Sequence, residues 1–164
     1  MRKHLLFDVN QTAEAYPNRE PLHRLFEAQA DRVPHQIAVA DSTEVIDSEE
    51  LEVRANRLAW ELIDRGVAKG QRVALLLKPG VDFVVAVLGA MKAGASYMPI
   101  DVEAPAARRE KLLELGKPVV AVVGKGVAVR GEITAIQLGN EGAAIAAIPR
   151  SVVDTGIEDD AYVI

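Results

Sequence analysis

Arg72-Val73-Ala74-Leu75-Leu76-Leu77, preceded by Gly70 and followed by Pro79-Gly80, decides the fold class of this chain. A short, unbroken apolar run between turn formers suits a strand covered on both faces, which is the habit of parallel sheets. Working outward, Val81 to Ala93 is apolar almost all round, and its Ala, Met and Gly content with Gly94 behind it predicts a buried helix. Tyr97-Met98-Pro99 is a short extended piece. Pro105 opens a helix in which Arg108, Arg109, Glu110, Lys111 and Glu114 surround Leu112, Leu113 and Leu115, and Val119 to Val123 is a second buried strand. Ile133 to Leu138 reads as strand, Ala143 to Ile148 as a short alanine-rich helix, and Tyr162-Val163-Ile164 as a strand beginning.

On the N-terminal side, Asp47 with Glu50 three residues on marks a helix start, and Leu51, Ala55, Leu58 and Leu62 line one face up to Gly66. Ile37 to Ala40 and Val45-Ile46 flank a polar turn. Before them, Leu22, Leu25, Phe26 and Gln29 recur at helical spacing after Pro21, until Val33-Pro34 breaks the pattern. This alternation predicts an α/β fold of three layers, a mostly parallel sheet with helices on both faces. Residues 1–20 lack a sustained period and read as a linker from an upstream domain; residues 21–164 read as the domain.

Composition narrows the function. The 164 residues carry 24 acidic and 19 basic side chains, a formal net charge of −5, and no cysteine. Thiolate nucleophiles and sulfur-ligated zinc are thereby excluded, and an acidic balance without a Lys/Arg run argues against a nucleic-acid partner. The longest apolar stretch, Phe83 to Met91, falls short of the ~20 residues that span a bilayer, and no secretory leader pattern is present, so a cytoplasmic protein without a membrane partner is expected.

Four constellations invite a chemical reading, and each has a plainer one. Gly124-Lys125-Gly126 follows a strand, but Val129 stands where a dinucleotide loop has its third glycine, so a surface turn is expected. Glu158-Asp159-Asp160 reads as a solvated acidic turn rather than a metal site. Asp101 and Glu103 read as structural loop carboxylates rather than an acid and base pair. His4, His23 and His35 have no partners that sequence can identify and read as solvated or locally hydrogen-bonded. No catalytic, cofactor-binding or metal-ligating residue is assigned.

The run Met91-Lys92-Ala93-Gly94-Ala95-Ser96-Tyr97-Met98-Pro99-Ile100-Asp101 resembles the second core motif of the adenylation domains of nonribosomal peptide synthetases, Leu-Lys-Ala-Gly-x-Ala-Tyr-Val-Pro-Ile-Asp, with seven positions identical. Matches in the family's order include Asn10-Gln11-Thr12-Ala13 with Tyr16-Pro17, Leu22 to Ala30, Arg54-Ala55-Asn56-Arg57-Leu58-Ala59, and Gly70-Gln71-Arg72-Val73-Ala74. Three departures stand out: Ser48 replaces the tyrosine of the first core motif, Val102 replaces a proline after Asp101, and Ala104 replaces a tyrosine before Pro105.

The resemblance implies that Lys92, Ala93, Gly94, Tyr97, Pro99 and Asp101 are structural motif positions. It also implies that Leu5, Leu6, Phe7, Tyr16 and Pro17 contact an upstream condensation or heterocyclisation domain. In the family, a segment like Glu158 to Ile164 runs into the Gly/Ser/Thr-rich loop that holds the phosphates of ATP, and the sequence in hand stops before that loop. The expectation is a truncated, catalytically silent adenylation domain without a cofactor, acting as a structural spacer or docking platform among synthetase domains. Its seam would be made more polar, with Ser48, Val102 and Ala104 as candidate positions, be covered by another domain or chain, or leave the chain weakly stable alone. Two alternatives stand beside it: a fragment of an active domain that works only when completed, and a small independent nucleotide-binding module.

Overall fold

A computed structural model describes residues 20–138, 149–151, 153–156 and 159–163. The proposed linker contacts Leu5, Leu6, Phe7, Tyr16 and Pro17, the expected helix at 143–148, His4, Glu158 and Ile164 lie outside the described residues.

The chain order is α1 (Leu22–Arg32), β1 (Ile37–Ala40), β2 (Val45–Asp47), α2 (Ser48–Asp64), β3 (Arg72–Leu76), α3 (Val81–Lys92), β4 (Ser96–Pro99), α4 (Ala106–Gly116), β5 (Val120–Val123) and β6 (Thr134–Gln137). β1 and β2 form an antiparallel ribbon against α2 and α3. The main sheet is parallel, in the order β4-β3-β5-β6. Beyond β4, Tyr162 makes an isolated parallel bridge to Tyr97, so the chain resumes the sheet on that side.

The apolar run that fixed the fold class is the centre of this sheet. Strand side chains alternate between faces, and both faces of β3 are covered. Val73 and Leu75, with Val120, Val122 and Ile136, pack under Leu58, Ala59 and Leu62 of α2 and Ala86 and Ala90 of α3. Ala74 and Leu76, with Ala121 and Val123, pack under Leu112 and Leu113 of α4. The three expected layers follow from that alternation. Each fully buried Val or Leu contributes about 1.5–3 kcal/mol, which is why the sheet needs no polar support at its middle.

α2 begins as its sequence predicts: the Asp47 carboxylate accepts from the Glu50 amide at 2.9 Å. Glu50 does not reach back to complete a capping box. Its side chain holds Arg54, which also grips Glu44 with both of its terminal nitrogens. At Gly89 the helices α2 and α3 come so close that an added Cβ would lie 2.8 Å from a Leu58 methyl.

α1 differs from its sequence reading. The side chains it buries are His23, Glu27 and Ala30, whereas Leu22 is 60% exposed and Leu25 and Phe26 are half-buried. Phe26 still packs against the core around Ile46 and Leu51, but the deepest side of α1 is set by the charged centre it faces rather than by hydrophobicity. Ser48 is likewise buried, with its amide donating to the Gln36 carbonyl at 3.0 Å, so it does not form part of a polar seam.

Candidate functional site

α3 ends where its apolar run meets Lys92. A cation in the last turn is favoured by the helix dipole, yet this side chain has no exposed surface at all. An ammonium is buried only when paired. Lys92 Nζ donates to Glu27 Oε1 of α1 at 2.5 Å and to Glu52 Oε1 of α2 at 3.0 Å, so one lysine joins three helices.

Residues 149–151 complete the cluster. Arg150 donates from Nε to Glu52 Oε1 at 2.7 Å and grips both carboxylate oxygens of Asp31 at 2.8 and 3.0 Å. Arg24 holds the second oxygen of Glu27 at 2.8 Å. Three carboxylates (Glu27, Asp31, Glu52) thus meet three cations (Arg24, Lys92, Arg150), and the Ser151 hydroxyl donates to the Lys92 carbonyl. Burial pushes the Glu27 carboxyl up, but hydrogen bonds from Lys92 and Arg24 outweigh it and hold the group below its usual range. The hydrogen bond to Asp31 raises Arg150 further above its ordinary value, burial opposing and Glu52 adding to it.

His23 is buried beside this cluster, with its Nε2 3.2 Å from the Thr155 hydroxyl. Desolvation, reinforced by Arg24 and Lys92 against the pull of Glu27, drives its pKa down to about 4. It is therefore a neutral imidazole bonded to a residue far along the chain, which corrects the expectation of a solvated or locally bonded ring. His35 is exposed, 3.7 Å from Asp47 and 3.6 Å from Glu49.

The other motif positions have plain structural places. Ala93 is fully buried in the core. Gly94 turns the chain at φ +74°, and a Cβ there would lie 2.6 Å from a Val153 methyl, so glycine admits the later segment as well as the turn. The Tyr97 amide donates to the Ala161 carbonyl at 3.0 Å, its carbonyl accepts from the Val163 amide at 2.9 Å, and its ring stacks on Tyr162 at 5.9 Å. Pro99 closes β4 opposite Leu75, and the Asp101 carboxylate accepts from the Glu103 amide at 2.9 Å in a local turn. A cavity of about 310 Å³ lies between α1, the end of α3 and the later segment, lined by Leu22, His23, Met91, Tyr97, Thr155 and Tyr162 among others.

Glu103 points away from Asp101's turn to an exposed pair with Lys78 at 3.0 Å. Gly124 to Val127 is a tight turn closed by the Val127 amide on the Gly124 carbonyl, with no helix behind it. Asp159 accepts from the Gly156 amide and pairs with Lys69 at 3.1 Å. Among the described residues no group of three or more His, Asp or Glu is placed to hold a metal ion, and no helix is long and apolar enough to cross a membrane. Sequence reasoning found Lys92 as a motif position but gave no such place to Arg24, Glu27, Asp31, Glu52 and Arg150. The one signal available for them was a pair of acids on otherwise inward-facing helix turns.

Comparison with known proteins agrees with the motif resemblance. A family model described as AMP-binding enzyme matches residues 26–160. Bacitracin synthase 3 of Bacillus licheniformis is 40% identical over 134 residues, 78% of this chain and 2% of that protein. Gramicidin S synthase 1 of Brevibacillus brevis is 36% identical over 109 residues, 66% of this chain and 10% of its own length. The chain therefore spans a tenth or less of these relatives. Among solved structures, the nonribosomal peptide synthetase FmoA3 in its AMPPNP-bound form superposes with a TM-score of 0.84 at 31% identity, covering 96% of this chain and 17% of that one. Motifs, sheet order and relatives agree that the chain belongs to the AMP-binding enzyme family, as the N-terminal portion of an adenylation domain of the nonribosomal peptide synthetase type.

Proposed function

We propose that these residues serve a nonribosomal peptide synthetase as a catalytically silent scaffold that forms no aminoacyl adenylate by itself. Adenylation requires cationic and amide donors preorganised around transferring phosphates. The observation that carries the reading is the state of the buried cationic centre: Lys92 is wholly enclosed between Glu27 and Glu52, and Arg150 is engaged by Asp31 and Glu52. On this reading the segment acts in the cytoplasm beside other synthetase domains, with residues 1–20 as the connection to an upstream condensation or heterocyclisation domain.

A second reading, that the segment is part of an active domain and supports activation of an amino acid with ATP once completed, is favoured by Tyr162. Its bridge to Tyr97 starts a further parallel strand on the β4 side of the sheet, where a following segment would continue. Amino-acid-dependent ATP–pyrophosphate exchange separates the two. The purified chain is expected to give none, and exchange by the chain alone overturns the scaffold reading. Exchange appearing after the remainder of an adenylation domain is joined behind Ile164 supports the second reading, and a silent fusion that folds supports the first.

A further inference from the structure

The described residues of 149–163 lie across α1, the end of α3 and β4, and are tied to a different element at almost every step. The Trp60 indole of α2 donates to the Pro149 carbonyl at 2.7 Å, Arg150 joins Asp31 to Glu52, and the Ser151 hydroxyl binds the last turn of α3. Val153 fills the space beside Gly94, Thr155 meets His23, and Asp159 meets Lys69. Only after these anchors does the backbone pair with Tyr97 through Ala161 and Val163.

We infer that Arg150, acting through the buried Lys92–Glu27–Glu52 cluster, is a positioning residue that fixes the register of the strand starting at Tyr162 against β4. Without Arg150, the nearly buried Glu52 is left with the Lys92 ammonium that it shares with Glu27 and a 3.3 Å bond from the Asn56 amide, and its Oε2 already has no hydrogen-bond partner among the described residues. A buried carboxylate that loses the shorter of its two charged bonds is disfavoured, so the cluster holds Arg150, and with it the segment, in one place. The groups facing Arg150 are Glu27 and Asp31 of α1 and Glu52 of α2, with Lys92 of α3 behind them. Tyr162 is the point from which the chain continues beyond the described sheet. The consequence for adenylation rests on the proposed place of this segment in such a domain: Arg150 would set where the following residues begin.

Native-state hydrogen exchange on the 164-residue chain tests the inference without any enzymatic readout, so a failed ATP–pyrophosphate exchange leaves this measurement untouched. Arg150→Gln is expected to speed exchange of the Tyr97 and Val163 amides about tenfold while the β3 and β5 amides stay within about twofold, the mark of local rather than global opening. Adding Glu52→Gln, which removes the buried charge that Arg150 had bonded and keeps the shape, should reverse at least about threefold of that acceleration. Arg150→Lys, with the charge but not the fork, should fall between. Unchanged Tyr97 and Val163 exchange, a uniform rise across the sheet, or no reversal by Glu52→Gln overturns it. If Arg150→Gln does not fold, Asp31→Asn removes only the outer carboxylate and should give about a threefold rise at the same two amides; no rise there overturns the inference equally.

Discussion

Replacing Lys92 by methionine keeps most of the side-chain volume and removes only the charge. The ammonium is wholly buried and is held at 2.5 Å by Glu27 and 3.0 Å by Glu52. Removing one partner of a buried ion pair costs about 3–5 kcal/mol. Arg24 and Arg150 remain as cations on the same carboxylates, so the cost should lie near the lower figure, about 3 kcal/mol. That is a large part of the 5–15 kcal/mol that holds a typical domain folded. With a urea m value of about 2 kcal/mol per molar, the midpoint should fall by about 1.5 M.

The assay is urea unfolding followed by circular dichroism and by emission of Trp60, the single tryptophan. The pH dependence supplies a second signature. In the native chain Glu27 sits below its usual range, so its contribution is present above the ordinary carboxylate value and is lost as pH falls through the folded one. In the variant, burial acts on Glu27 with Arg24 but without the Lys92 bond to oppose it, so its pKa rises relative to the native chain. The folded variant then takes a proton more readily than the native fold does, and the gap between variant and native should narrow as pH falls through the carboxylate range. Lys92→Met combined with Glu27→Gln and Glu52→Gln should recover to within about 1 kcal/mol of the native chain, since neutral replacement of a whole buried set is often tolerated. A Lys92→Met cost under about 1 kcal/mol, or one that does not change with pH, refutes the reasoning.

Two further expectations concern the same helices. The His23 pKa of about 4 means that the unfolded chain binds a proton below pH 6.5 while the folded chain does not. Stability should be full above 6.5 and fall by up to about 3 kcal/mol on going down to pH 4; denaturation across that range checks it, and a His23→Gln chain with the same slope would exclude His23 as the cause. Gly89→Ala places a methyl 2.8 Å from Leu58, and overpacking of about 1–3 kcal/mol exceeds the helix propensity gained. The melting temperature should drop, and a rise would mean that α2 and α3 separate without cost.

The parts of the fold legible in the sequence were those in which apolar contact decides the outcome. β3 is an unbroken apolar run because both of its faces are covered, and α2 shows its stripe because Leu51, Ala55, Leu58 and Leu62 all reach the core. α1 was legible as a helix but not in orientation, since His23 and Glu27 turn inward toward a lysine that hydropathy cannot place. The cluster was legible in one residue of six. Lys92 carries a motif, but Arg150 reaches Asp31 across 119 residues and Glu52 across 98, and no local period links partners so far apart. The three departures from the motif pattern resolved differently. Ser48 is buried and bonded to Gln36, Val102 packs under the α4 side of the sheet, and Ala104 is half-buried.

During synthesis, the chain emerges from the ribosome with Glu27 and Glu52 ahead of Lys92, and α2, β3, α3 and β4 can assemble from neighbouring stretches as soon as they are free. Arg150 comes much later. A nascent chain that has folded as far as β5 therefore carries an enclosed ionic knot lacking one of its cations, and the indole of Trp60 still lacks the Pro149 carbonyl. The stretch around Arg150 thus reaches, late in synthesis, a carboxylate that the early stretches buried, and a ribosome stalled just before codon 150 would hold a sheet that is nearly complete but whose Glu52 still lacks its closest cation.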